Sequence, residues 1–400
     1  MDNILECSRK NGRWLTEVRR TLHSTPETGF ETGNTVAFVT AELKRMGIEP
    51  KNCGTSGVTA LIGSGEPVFL LRADMDALPI REETQLPYAA ENGAMHACGH
   101  DLHTAMLLGA ARLLKEREKD LRGTVKLMFQ SAEEIFEGAK DMIRNGVLES
   151  PKADAGMMVH VMSGMPVPTG TVIVCDGGIS APGADFFTVK IQGKGCHGSM
   201  PHTGIDPITV GAHVILALQE LHSRELSLAD PAVLTVGSIH AGQAPNIIPD
   251  ALELSGSLRT YDEQLRSCLK ERMEAIVKSI ALAYRAEASV EWGRGCPALQ
   301  NDESLSREVL GWTEELLGRG KVFSPSSFGS GKGPKSTGSE DFAYISQKIP
   351  TIMVSLAAGN PEDGHRFPLH HPKVTFDEDA LPIGAAVLAN TALRWLESRK

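Results

Sequence analysis

The chain has no apolar run approaching the roughly 18 residues of a membrane-spanning helix, and its start, MDNILECSRKNGRW, lacks a basic segment followed by an apolar one. Membrane insertion and export are therefore not expected, and a soluble, cytoplasmic protein is. Lys/Arg-rich runs are missing too, and a formal net charge of -10 opposes a nucleic-acid or anionic-membrane partner. Cysteine is present at Cys7, Cys53, Cys98, Cys175, Cys196, Cys268 and Cys296, but never in C-x-x-C spacing, and an odd number fits reduced thiols better than a disulfide framework. No repeat of solenoid period and no low-complexity tract is found. These exclusions leave a globular protein with a small ligand.

What is there fits that class. Four hundred residues exceed one comfortable core, so two domains are expected, and 41% hydrophobic with 22% charged residues is ordinary for a packed fold. Residues 5–22 and 33–46 read as amphipathic helices. VTALIGSG and VFLLRA are short apolar runs with the character of buried strands. A helix is expected over 102–117, a strand at TVKLMFQ, a helix over 136–145 ended by Gly146, and a strand at AGMMVH. Strands alternating with helices predict a mixed, mostly parallel sheet with helices on both faces. From about 184 the order becomes strand, helix (206–226), two strands, helix (263–284), strand, which is the β-α-β-β-α-β order of a ferredoxin-like α+β unit. After 300 the α/β style returns, with TIMVSLAAG as a strand and 380–397 as a helix. The expected division is therefore 1–183 and 297–400 as a discontinuous catalytic domain, with 184–296 inserted. SPSSFGSGKGPKSTGSED is expected to be a mobile loop near the site, and its GSGKGPKS lacks the spacing and preceding strand of a phosphate loop.

In parallel sheets ligands collect beyond the carboxyl ends of the strands. Asp74 and Asp76 follow VFLLRA, Glu133-Glu134 follow TVKLMFQ, and His160 closes AGMMVH. The run Met95-His96-Ala97-Cys98-Gly99-His100-Asp101-Leu102-His103 adds a thiol, three imidazoles and a carboxylate within nine residues. Such crowding is costly unless a metal uses it. Cys98 and His100 can grip an ion from a loop entering the helix, and a thiolate sulfur is able to bridge two. If the chain is extended at Glu133-Glu134, neighbouring carboxylates point to opposite sides. One can then ligate while the other takes a proton from an activated water. A Glu-Glu pair is ordinarily a solvated helix face, but the position at a strand end favours chemistry. His160 and either His370 or His371 supply possible further ligands, while His96, His103 and Asp101 fit supporting or helix-start roles. Around His197, GKGCHGSMPH is rich in small residues that let a substrate or another backbone approach, and its imidazole is able to donate to an oxyanion; a polar turn is the plainer reading.

At these residues the sequence resembles the M20 metallopeptidase family, in the amidohydrolase branch of aminoacylases, hippurate hydrolases and auxin-conjugate hydrolases. The matching segments are LHSTPETGFET, LLRADMDALPI, MHACGHDLHTAMLLGAA, FQSAEE, GKGCHGSMPHTGIDP, PNIIPDALELSGSLRT, GSEDFA and LHHPKVTFDEDALPIGAA, spread through nearly the whole chain. The resemblance implies two divalent metal ions (zinc or manganese, with cobalt as a further option) held by Cys98, His100, Glu134, His160 and His370. Cys98 would bridge, His100 and His160 would serve one ion, Glu134 and His370 the other, and Asp76 would orient them. Glu133 is implied as general base. The family pattern LHSP selects His370, with His371 replacing a usually small residue. The inserted unit is implied to be a lid that also forms a homodimer, with His197 reaching a neighbouring subunit's site to stabilise the oxyanion. Asn246 and Arg259 match positions that meet the substrate's polar end, and a guanidinium suits a free carboxylate. The implied reaction is hydrolysis of a small N-acyl amino acid to a carboxylic acid and a free amino acid. Alternatives are a carboxypeptidase or dipeptidase, and a noncatalytic binding module of the same fold.

Overall fold

Every residue of the strands Val68–Asp74 and Thr124–Gln130 is buried, as expected of strands covered on both faces. In the computed structural model, which describes residues 3–328 and 335–399, both belong to an eight-stranded sheet. Its spatial order is Pro50–Cys53, Gly57–Gly63, Thr124–Gln130, Val68–Asp74, Ala155–Met162, Thr351–Ala357, Val172–Val174, Val322–Phe323. The four strands from Thr124–Gln130 to Thr351–Ala357 run parallel, so their carboxyl ends share one rim. Antiparallel pairing is confined to the flanks. The sheet is thus mixed and mostly parallel.

Side chains alternate across a strand, and the two faces of Val68–Asp74 differ in kind. Phe69, Leu71 and Ala73 join a core with Leu102, Met106 and Leu113 of the helix His100–Lys115 and with Leu381, Ala385 and Leu388 of Ala380–Ser398. Each large aliphatic buried there contributes about 1.5–3 kcal/mol. The opposite side presents Arg72 and Asp74, polar yet almost wholly buried. That polar side leads toward the rim.

The chain divides into two compact units, Met1–Ser180 with Gln300–Lys335 and Asp341–Lys400, and Ala181–Leu299 with Ser336–Glu340. The second unit has a four-stranded antiparallel sheet in the order Ala232–Ala241, Ala251–Thr260, Gly183–Gln192, Glu287–Cys296. Helices Pro207–Glu220 and Glu263–Ala283 set Val210, Val214, Met273 and Val277 against Val189, Ile191, Leu252 and Leu254. Their starts are capped by Asp206 and Asp262, whose carboxylates accept the backbone N–H groups of Ile208 and Leu265. Ser336–Glu340 is tied in by Tyr261, whose hydroxyl donates to the Ser336 carbonyl at 2.7 Å.

Some elements differ from the sequence reading. The first helix is broken at Asn11 into Ile4–Lys10 and Gly12–Ser24, because the N–H of Asn11 closes the earlier helix while its carbonyl starts the later one. A helix at Glu303–Leu317, capped by Asp302, was not anticipated. Nor were the short strands Pro50–Cys53, Val172–Val174 and Val322–Phe323 at the flanks of the sheet, which are too short to carry a period. The Gly/Ser-rich segment is described only at 324–328 and 335–341; residues 329–334, most of GSGKGPKS, lie outside the described residues. Among the described residues no helix is long and apolar enough to cross a membrane.

Candidate metal centre

The rim of the parallel strands gathers the donor residues of the first unit. Cys98 and His100 flank Gly99, which stands at φ 85° ahead of the helix His100–Lys115. A Cβ at Gly99 would lie 2.3 Å from Cγ2 of Val161, so only glycine lets this loop press against the strand that carries His160. His370 arrives from the loop after Thr351–Ala357 with φ 65°, a left-handed conformation that is uncommon outside glycine and concentrates at functional sites.

Side-chain atoms of Cys98, His100 and His160 lie within 4.8 Å of one another, and so do those of Cys98, Glu134 and His370. Cys98 belongs to both groups. Its Sγ is 3.6 Å from His160 Nε2 and 3.3 Å from His370 Nε2, while Glu134 Oε1 is 3.7 Å from His370 Nε2 and 3.9 Å from His100 Nε2. His100 Nδ1 donates to the Asp76 carbonyl at 2.8 Å and His160 Nδ1 to the Val161 carbonyl at 2.8 Å. A carbonyl only accepts, so both rings keep the Nε2 lone pair for the shared space.

Glu133-Glu134 do not continue the strand. Ala132 takes φ 60° and residues 133–136 form a turn. Strand alternation does not set the two carboxylates apart here: an oxygen of each lies within 4.8 Å of the other and of a His100 ring nitrogen, and Asp76 gathers both backbones, its Oδ1 accepting the Glu133 N–H at 2.9 Å and its Oδ2 the Glu134 N–H at 3.2 Å. Glu133 is buried and its Oε1 accepts the Asp341 N–H at 3.3 Å.

The donor set suits a cation. His100 Nε2 and Glu134 Oε1 are buried without a hydrogen-bond partner, a costly state for polar atoms. Burial, then Glu134, pushes the Cys98 thiol up to about 12. Burial also carries Glu134 to about 7 despite the attraction of His100. Burial pulls His100 down, but Asp74, with Asp76 and Cys98, more than offsets this and holds it well above the ordinary histidine range. His160, lowered to about 3 by burial and then by His103, and His370, lowered by burial and then by His100, are neutral donors. Both ring nitrogens of buried His96 lack partners, and Asp101 is bound by Arg19 (2.8 Å) and His23 (2.8 Å).

His371 turns away from this cluster: its ring stacks on Phe367 at 4.3 Å and its Nδ1 accepts the Lys373 N–H. Arg72 and the supporting role of Asp74 escaped the sequence reading. Asp74 Oδ1 accepts from His103 Nδ1 at 2.6 Å, and His103 Nε2 accepts the Val161 N–H at 2.9 Å. The signal was a lone Arg inside an otherwise apolar run.

In the second unit, His197 is exposed on a ribbon that pairs Cys196–His197 with Ile247–Ile248. Gly198 lets the Asn246 carbonyl accept its N–H at 2.8 Å, and a Cβ there would lie 2.9 Å from that oxygen. The approach that small residues permit is made here by another backbone. Asn246 and His197 are therefore neighbours. Arg259 lies near the other end of Ala251–Thr260, bonded to Ser339 Oγ at 3.0 Å.

A cysteine, imidazoles and carboxylates converging on the rim of such a sheet are the makings of a metal-dependent hydrolase. The chain belongs to Peptidase family M20/M25/M40, whose family model matches residues 70–394. It is similar to "N-acetyl-L-cysteine deacetylase" of Bacillus subtilis (39% identical over 96% of this chain and 89% of that one). Another relative is "IAA-amino acid hydrolase ILR1-like 2" of Arabidopsis thaliana (36% identical, over 96% and 86%). Among solved structures it resembles a Bacillus subtilis protein described as a dinuclear metal binding peptidase from the M20 family, with TM-score 0.78 and 34% identity over 97% of this chain and 99% of that one. The chain is thus an M20 metal-dependent amidohydrolase.

Proposed function

We propose that the protein hydrolyses N-acyl amino acids with a pair of divalent cations held by Cys98, His100 and His160 on one side and Cys98, Glu134 and His370 on the other. The observation that carries this reading is the sharing of Cys98 between two donor groups, with Glu133 beside them. A thiolate common to both groups can serve two ions, and its softness with imidazole partners suits zinc, with manganese or cobalt as alternatives. When bound, the ions supply Lewis-acid polarisation of the acyl carbonyl and a lowered pKa for the attacking water. Glu133 then takes the water proton and delivers it to the leaving nitrogen. Its position is supported by the bonds its N–H and Oε1 make to Asp76 and Asp341. Similarity to an N-acetyl-L-cysteine deacetylase and an IAA-amino acid hydrolase supports a small acylated amino acid as substrate.

His197 is assigned to the oxyanion and Asn246 and Arg259 to the substrate's polar end. Within one subunit, eight residues of strand separate Arg259 from Ala251, next to the ribbon that carries Asn246 and His197, about 27 Å at strand rise. A small substrate does not span that length, so the reading includes a homodimer in which a second copy supplies His197 and Asn246. Short peptides are the second reading, since one structural relative is described as a peptidase.

The test is a panel of acetyl-, benzoyl- and indoleacetyl-amino acids against dipeptides, with elemental analysis of the same preparation. Metal-dependent release of free amino acid from the acyl series is expected, and turnover of dipeptides alone would replace this reading with the second. Glu133→Gln should keep its metal while kcat falls about 10²–10⁴-fold; near-normal turnover in that variant would remove Glu133 from its role.

A further inference from the structure

We propose that Arg72 is a positioning residue that sets both the general base and the metal-ligand side of the centre through two separate carboxylates; this rests on the reading under Proposed function. Arg72 is fully buried in the strand Val68–Asp74. Its Nη1 donates to Asp74 Oδ2 at 2.7 Å, its Nη2 to Asp341 Oδ1 at 3.1 Å, and its Nε to Gln130 Oε1 at 3.0 Å. Gln130 in turn donates to the same Asp341 oxygen at 2.7 Å. A planar fork of fixed donors holds two acceptors in fixed relation, which a point-charge ammonium does not do.

Each carboxylate then leads to a different part of the centre. The Asp341 Oδ2 accepts the Ala139 N–H at 2.9 Å, and the backbone N–H of Asp341 donates to Glu133 Oε1 at 3.3 Å. Asp341 therefore reaches the base through its main chain while Arg72 holds its side chain. Asp74 instead accepts from His103, and the ring of His160 packs edge-on against His103 at 4.6 Å. Asp74 Oδ2 also lies 3.6 Å from His100 Nε2. One buried guanidinium thus anchors a base arm through Asp341 and a ligand arm through Asp74. Groups that orient metal ligands from outside typically change affinity or activity about 10–100-fold when altered.

The arms separate by experiment on the full-length protein. Binding of Co²⁺ to the metal-free protein is measured by competition with a chelator, and kcat and KM are measured at saturating metal on the best N-acyl amino acid. Asp341→Asn should bind Co²⁺ within about twofold of the parent while kcat falls about tenfold or more and KM changes little. Asp74→Asn should weaken Co²⁺ binding about tenfold or more. Arg72→Lys should show both losses, because it keeps the charge and loses the fork. Parental kcat and Co²⁺ affinity in Arg72→Lys would overturn the proposal, as would identical profiles in the two Asp variants. If Arg72→Lys does not fold, the two Asp variants decide alone. If the parent hydrolyses none of the panel, the substrate reading fails, and the Co²⁺ measurements still decide the ligand arm.

Discussion

At the scale of single residues, chemistry and geometry divide neighbouring side chains between very different tasks. His370 and His371 are adjacent in sequence, yet His370 faces Cys98 and Glu134 while His371 stacks on Phe367. His370→Ala is expected to lower bound metal and cut activity by an order of magnitude or more, whereas His371→Ala should hold its metal. Metal content by elemental analysis separates them, and equal loss in both variants would contradict the assignment. The residue types alone left His370 and His371 open, and only the family resemblance selected His370. That choice depends on the left-handed backbone at His370, which no local propensity announces.

At the scale of elements, the second unit couples its sheet to its long helix through charge. Asp185 of the strand Gly183–Gln192 accepts from Arg266 Nε and Nη2 at 2.5 and 2.8 Å and from Lys270 at 3.0 Å, both on Glu263–Ala283. Burial raises the Asp185 pKa, and the bonds to Arg266 and Lys270 more than reverse this, leaving it below the usual carboxylate range. A carboxyl with a depressed folded pKa stabilises above its unfolded value, near ~3.9, and that contribution is lost as pH falls through the folded pKa. Asp185→Asn should therefore cost about 1–3 kcal/mol at pH 7, with the difference from the parent shrinking below about pH 4. Urea midpoints at pH 7 and pH 3 measure it, and a gap independent of pH would show that the charge is not the cause. Long elements with clear periods, such as Glu263–Ala283 and Ala251–Thr260, were legible in the sequence. The turn at Glu133 was not, since Asp76 sets it from a distant segment.

At the scale of the whole molecule, the separation of Arg259 from His197 and Asn246 bears on assembly. If a second copy completes each site, mixing Glu133→Gln with His197→Ala subunits should restore activity that neither variant shows alone. Random exchange into dimers gives one competent site in half of them, so about a quarter of the parental activity is expected. Dimers that form mixed pairs yet stay inactive would place His197 outside the reaction.

The sequence by itself determined the mostly parallel sheet with its buried strands, the separate antiparallel sheet and the kinds of side chain near the strand ends, because hydrophobic period and side-chain chemistry are local properties. Only the tertiary structure decided that Asp76 gathers the backbones of both glutamates and that Arg72 ties Asp74 to Asp341. Those relations link residues far apart in the chain, and they exist only because parallel strands bring their carboxyl ends to a common rim.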